Sequence, residues 1–335
     1  MAGFSDAEIL RLCNRQGFKG FKAPPYWTAE VYGFGKWIRE YCNYPWYLPL
    51  CIYTDHGPPM SDTPSKQELE SGAPYLFFHS LALAKKWKEI TKKEGFVLYS
   101  PFVYYRRKKN LHRSPNARGT LAFPAHTNIN IEDQSDVGTY IKQLLKLPRK
   151  FQPVSVCLFY DDIKKGKHRI FQKYKIPIYT AGYYYNDRFT ERFYDILKNF
   201  KYATSNKVGS YLYYAVEMGL PFSIYGQKQK YINKGDPNLS AGEYDSYKLS
   251  ALYRRIHRMF NGLHTKISPE QKRFVEINLG LRDGISPPQM RNILYKSLFQ
   301  WVFSSRPIMW FFKIAWVVIQ SALLKIRGLF GDQLH

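Results

Sequence analysis

K-Y-A-T-S-N-K-V-G-S-Y-L-Y-Y-A-V-E-M-G-L-P-F-S-I-Y-G, residues 201–226, reads as a strand end, a turn, a helix and a second strand. Thr204, Ser205 and Asn206 are helix starters, because their side-chain oxygens accept hydrogen bonds from amides the first turn leaves free. Gly219 is placed to end the helix in left-handed backbone, and Pro221 cannot continue it. The following F-S-I-Y is apolar enough for a buried strand. A helix N-terminus at the mouth of a parallel sheet gathers free N–H groups and a positive dipole end, which suits an anion. Alone, the stretch is equally an ordinary capped helix.

The alternation continues in both directions. Strands are expected at 121–124, 154–160 and 176–180, with helices at 137–147, 166–174 and 188–200. With 201–226 this gives five strands and four helices, the pattern of a doubly wound parallel sheet. Upstream, 48–53, 75–79 and 96–99 read as strands around a helix at 82–93 whose Leu83, Trp87 and Ile90 share one face. Short helices are expected after Ser5 and around Trp37. The basic run from Arg106 to Gly119 reads as a linker, solvated or attracting phosphates beside a cleft. The expected units are an N-terminal one at 1–118, a second at 119–265 and helices at 266–335, with 227–249 as loop. Helical patterns fall at 251–260, 269–279 and from Ser286 to about Ser305.

The net charge of +24 demands an anionic partner: nucleic acid, a membrane surface or an anionic small molecule. No RNA-recognition, helix-turn-helix or zinc pattern accompanies it, so nucleic acid is not expected. The chain carries 28 Tyr and 23 Phe, which suit base stacking, sugar clefts and membrane interfaces alike. Cys13, Cys42, Cys51 and Cys157 show no metal-ligand spacing, and reduced thiols in a cytoplasmic protein are the expectation. The N-terminus has no signal-peptide pattern. The tail P-I-M-W-F-F-K-I-A-W-V-V-I-Q-S-A-L-L, 307–324, approaches the length of a membrane span. Lys313 and Gln320 oppose a simple span, whereas its tryptophans and flanking cations suit a helix lying among headgroups. Its alternative is a helix packed on the N-terminal unit.

Ligands of open parallel sheets bind beyond the carboxyl ends of the strands. Those ends carry Asp55-His56-Gly57, Ser80 and Ser100 in the first unit. In the second they carry His126-Thr127-Asn128, Asp161-Asp162, Gly182-Tyr183 and Thr204-Ser205-Asn206, with Ser210 and Glu217 on the helix that follows. A carboxylate or imidazole at 55 or 56 can deprotonate a hydroxyl, and His126 with the amides at 206–208 can receive a departing phosphate. Each residue has a plainer reading. Asp55 can close a turn, His126 can be structural, Glu217 can bind a ribose or stand solvated, and Tyr183–Tyr185 can stack a ligand or pack. Asp161 and Asp162 read as helix caps and His79 as core.

F-P-A-H-T-N-I-N at 123–130, T-S-N-K-V-G-S at 204–210 and A-V-E-M-G-L-P at 215–221 together resemble bacterial glycosyltransferases of capsule and lipopolysaccharide assembly. The likeness is to sialyltransferase-like and Kdo-transferase-like enzymes of GT-B architecture, and it covers about 45–230. It implies an α/β protein of two Rossmann-like domains with parallel sheets facing a cleft, plus closing C-terminal helices. It further implies a base at Asp55, a phosphate ligand at His126 and donor contacts at Ser205 and its neighbours. His56 stands where the family has a second acidic residue, and Thr127 where it has proline. The implied activity moves a sugar from a nucleotide sugar, with a CMP-activated acidic sugar as first choice, to a surface-polysaccharide or lipid-linked glycan. No cofactor is expected, and no metal, since no D-x-D motif is present. Such an enzyme would sit in the cytoplasm, peripheral at the inner face of the membrane. The alternatives are a pyruvyl transferase-like enzyme and a non-enzymatic basic nucleic-acid-binding protein.

Overall fold

The computed structural model describes residues 2–14, 26–127, 130–236, 239, 242–245 and 250–304. The tail at 307–324 lies outside them, as does Asn128. The protein is α/β. Five strands, β4 (Thr120–Ala122), β6 (Val154–Cys157), β7 (Ile178–Tyr179), β8 (Tyr202–Ser205) and β9 (Phe222–Ile224), form one wholly parallel sheet in the order β7-β6-β4-β8-β9. Counted within the sheet this is 3-2-1-4-5, the doubly wound order, whose switch point lies between β4 and β8. Its strands are buried almost throughout, because helices cover both faces. The helices are α6 (Val137–Leu145), α7 (Tyr160–Lys164), α8 (His168–Lys173), α9 (Phe189–Leu197) and α10 (Ser210–Glu217). Gly219 takes φ +91° just beyond α10, the backbone that lets the chain drop directly into β9.

The first sheet is smaller. β1 (Tyr53–Thr54), β2 (Leu76–Phe78) and β3 (Gly95–Val97) run parallel in the order β1-β2-β3, with α3 (Lys66–Glu70) and α4 (Leu81–Thr91) between them. Of the two Rossmann-like units expected, only the second has a reversal of strand order. A single aromatic core joins the sheets: Phe77, Phe102, Leu121, Phe123, Tyr194, Tyr213 and Phe222 belong to one cluster. Phe102 stacks on Tyr214 at 4.2 Å across the junction.

Strands β1–β3 lie within 1–118 and the strands of the large sheet within 119–265, while helices from both ends of the chain cross between the sheets. Helix α1 (Asp6–Leu12), capped by Ser5, docks on the large sheet, where Phe4 N donates to Ile178 O at 2.8 Å and Tyr183 N to Leu12 O at 2.9 Å. Helices α12 (Pro269–Asn278) and α13 (Pro287–Val302) return to the small sheet. There Ser100 N donates to Leu279 O at 3.1 Å, and Ile285 N to Val97 O at 3.0 Å. Helices α2 (Phe34–Cys42) and α11 (Ala251–Phe260) complete the shell.

Two segments differ from expectation. The basic run at 106–109 is not simply linker: Arg106 and Arg107 belong to α5 (Pro101–Lys108), whose Phe102 and Val103 are core. Part of 227–249 is strand. β5 (Ile131–Asp133), β10 (Tyr231–Asn233) and β11 (Gly242–Tyr244) pair antiparallel as β11-β10-β5. This flap lies over the carboxyl edge of the large sheet, where Gln229 Nε2 donates to Asn206 O at 2.8 Å and Lys167 pairs with Asp133 at 3.1 Å.

Candidate functional site

The carboxyl ends of both parallel sheets open on one cleft. His56 enters it from beyond β1. From the large sheet come Pro124 and His126 beyond β4, Leu158 and Phe159 beyond β6, Gly182 beyond β7, and Ser210 at the start of α10. Tyr32, Phe102, Phe193 and Tyr214 form an aromatic floor. The loop after His56 runs against α10, since a Cβ on Gly57 would stand 3.4 Å from Ser210 Cβ. The cleft is narrow. About 80 Å³ admits the centre of a water-sized molecule, within about 670 Å³ of atom-free space that reaches solvent.

His56 is exposed at the mouth, 5.8 Å ring to ring from Trp27. The cleft walls hold its pKa below the usual imidazole value, partly offset by Asp55. His126 is half-buried and stacks on Phe159 at 4.4 Å. Its pKa falls to about 3, first through desolvation and then through Lys207, Lys167, His56 and Lys165 nearby. Among the described residues His126 makes no hydrogen bond. Lys207 has no ion pair among them either; its ammonium lies 4.4 Å over the Tyr231 ring, and burial pushes it down to about 8. Lys207, Lys167 and Lys165 thus bring positive charge close to His126, which favours an anion beside it.

The remaining expected residues divide sharply. Asp55 is 5 % exposed and does not face the cleft. Its carboxylate accepts the His79 amide at 2.8 Å and pairs through its other oxygen with His79 Nδ1. Thr127 is buried, its hydroxyl accepting from Lys165 Nζ at 3.1 Å. Thr204 and Ser205 are not caps but strand residues. Thr204 Oγ1 donates to Ser223 O at 2.8 Å, and Ser205 Oγ lies 2.8 Å from Tyr211 OH. The helix N-cap is Gly209. Asn206 spans the switch point, Oδ1 accepting from Ala125 N at 3.0 Å.

Of the amides at 206–208, Lys207 N donates to Ser205 Oγ at 3.1 Å and Val208 N to Tyr253 OH at 3.4 Å, so they are not a free set. Among the described residues, the first-turn amides of α10 without a hydrogen-bond acceptor are those of Ser210 and Tyr211, two residues that line the cleft. Gly182 lines the cleft in left-handed backbone, φ +86°. Tyr183 packs on Tyr160 at 5.0 Å, behind the cleft wall.

Glu217 lies at the opposite end of α10 from the cleft. It is held by Arg106 through two bonds, Nε–Oε2 at 2.6 Å and Nη2–Oε1 at 2.7 Å, and by Arg107 at 3.1 Å. This buried clamp ties α5 to α10 and leaves no carboxylate oxygen for a ribose. Asp162 is likewise buried, 3.0 Å from Lys167, its pKa raised to about 6 by desolvation. Lys207 was not among the expected site residues; the signal for it was a basic residue in the turn leaving a central strand of the sheet.

Among the described residues no three His, Cys, Asp or Glu side chains converge as metal ligands. No helix of the described residues is long and apolar enough to cross a membrane. No family model matches the chain, and neither a curated protein nor a solved structure matches it.

Proposed function

We propose that the protein is a glycosyltransferase that moves a sugar from a nucleotide-sugar donor to a glycan acceptor. The observation that carries the reading is the placement of His56 and His126, one beyond each parallel sheet, in a single cleft. The arrangement is read as GT-B-like, with the small sheet as acceptor side, the doubly wound sheet as donor side and α12–α13 closing back on the first.

In this reading the donor phosphate lies against the first turn of α10, where Ser210 and Tyr211 present amides, with Lys207 and His126 at its flanks. These groups stabilise charge as it develops on the leaving nucleotide. His56 is the base, because it is exposed in the cleft and its lowered pKa keeps it unprotonated near neutrality. Asp55 holds the loop by its pairing with His79 and has a positioning role. A nucleotide sugar needs several hundred Å³, so donor entry moves the flap or the loop at 56–62 outward. A CMP-activated acidic sugar is the donor of choice, because its carboxylate gives Lys165 and Lys207 a second anion to meet.

Attachment at the inner face of the membrane is part of the proposal. Exposed aromatics lie on α13 and near it: Phe299 is 64 % and Phe303 74 % exposed, and Trp46, in the loop whose Tyr44 packs on Tyr295, is 71 % exposed. Such residues suit headgroup depth, and the tail at 307–324 follows α13 directly. The test of activity is nucleotide release from CMP- and UDP-sugars in the presence of membrane glycan extract. CMP or UDP release lost in His126→Gln supports the reading. Inertness toward every nucleotide sugar, with phosphate released from phosphoenolpyruvate, replaces it with pyruvyl transfer.

A further inference from the structure

A second groove lies across the loop at 56–62 from the cleft, with a volume of about 550 Å³. It is built at the carboxyl edge of the small sheet. Ser61 and Asp62 come from the loop after β1, Ser80 follows β2, and α11 and α12 supply Arg255 and Arg273. Ser80 is the N-cap residue of α4 and is 3 % exposed, yet its side chain makes no capping hydrogen bond. Among the described residues its hydroxyl has no partner at all, although it lines the groove. The amides of Leu81, Ala82 and Leu83 are the unsatisfied first-turn donors of this 11-residue helix. The residue is otherwise enclosed, so this hydroxyl opens only on the groove and is available to a ligand there.

The charges of the groove indicate what that is. Formally the walls balance, but most of the acids are already committed. Asp62 accepts the Leu252 amide at 2.9 Å, and Glu89 pairs with Lys86 at 3.0 Å. Glu270 remains, in the first turn of α12. Arg255 and Arg273 make no ion pair or hydrogen bond among the described residues; Arg255 lies 5.3 Å over the Phe274 ring. Two guanidiniums without an acidic partner, a helix N-terminus and a hydroxyl that opens only on the groove match a tetrahedral oxyanion.

We propose that this groove is a phosphate site, and that it holds the phosphate or diphosphate of the acceptor. The assignment to the acceptor rests on the glycosyltransferase reading; the anion site does not. The experiment is calorimetric titration of the whole chain in the His126→Gln/Lys207→Met background, which silences the cleft. The probes are inorganic pyrophosphate and farnesyl diphosphate. Pyrophosphate is expected still to bind, and to bind at least tenfold more weakly once Arg255→Gln and Arg273→Gln are added. The Arg255→Lys/Arg273→Lys version keeps the charge and guards against misfolding; it should stay within about threefold of its parent. Tighter binding of farnesyl diphosphate than of pyrophosphate assigns the anion to a lipid carrier, and equal binding to a soluble phosphorylated glycan. Loss of all binding in the silenced background, or binding indifferent to both arginines, overturns the site. Neither result touches nucleotide release, which tests the activity separately.

Discussion

Replacing Lys207 with methionine should stabilise the folded protein while weakening its hold on anions. The ammonium sits over Tyr231 without an ion pair, and burial lowers its pKa from 10.5 to about 8. At 1.36 kcal/mol per pH unit, a difference of about 2.5 units corresponds to about 3 kcal/mol. The sign follows from proton counts. Between pH 8 and 10.5 the unfolded chain holds a proton that the folded chain has released, so stability rises with pH through that window. Below pH 8 both states are protonated and the full cost of the buried charge is present. Methionine keeps the hydrocarbon stem and removes that cost, but it forfeits about 1 kcal/mol of attraction to the ring. The expected gain is about 2 kcal/mol at pH 7, shrinking toward zero as pH approaches 10.5. Denaturant unfolding at pH 6.5 and pH 9.5 reads it, and CMP titration of wild type and Lys207→Met reads the anion. A variant no more stable than wild type at pH 6.5, with undiminished CMP affinity, would refute the claim that Lys207 is kept for a ligand.

Other substitutions separate the roles assigned above. Glu217→Ala strands Arg106 in the α5–α10 interface and should cost about 3–5 kcal/mol; denaturant unfolding should show this with nucleotide affinity unchanged in the fraction that folds. A ribose ligand at Glu217 would give the opposite pattern. His56→Gln should lower turnover by about 10²–10⁴ and leave stability within about 0.5 kcal/mol, as expected for an exposed side chain. Asp55→Asn should instead destabilise by about 1–3 kcal/mol, because the amide keeps only one of the two oxygens that accept from the buried His79. If Asp55→Asn abolishes turnover in a fully stable protein while His56→Gln does not, the base is Asp55.

What could be read from the chain was what neighbours in sequence decide. Helix α11 falls where its periodicity placed it, and Ser268 and Ser286 start α12 and α13 through capping boxes. The five strands of the large sheet follow from their apolar runs and the helices between them. What escaped was set by distant partners. β5 and β10 are short and polar and pair across about a hundred residues, with no local signal strong enough to mark a strand. Arg106 looks like linker charge until Glu217, 111 residues later, comes to meet it. Asp55 stands where a cleft-facing acid is expected, and only the return of His79 to the next strand end turns it inward. A lysine in a polar turn looks solvated in sequence, whereas Tyr231 of β10 lies against the Lys207 ammonium.

The central claim is that a residue from each parallel sheet meets the same bound nucleotide. Histidine side-chain NMR during titration with CMP and UDP tests it most directly. The account predicts that the His56 and His126 resonances move together, with one shared dissociation constant, and that the His126 pKa rises from about 3 as the phosphate settles beside it. Movement of one histidine without the other, or of neither at saturating nucleotide, would contradict it.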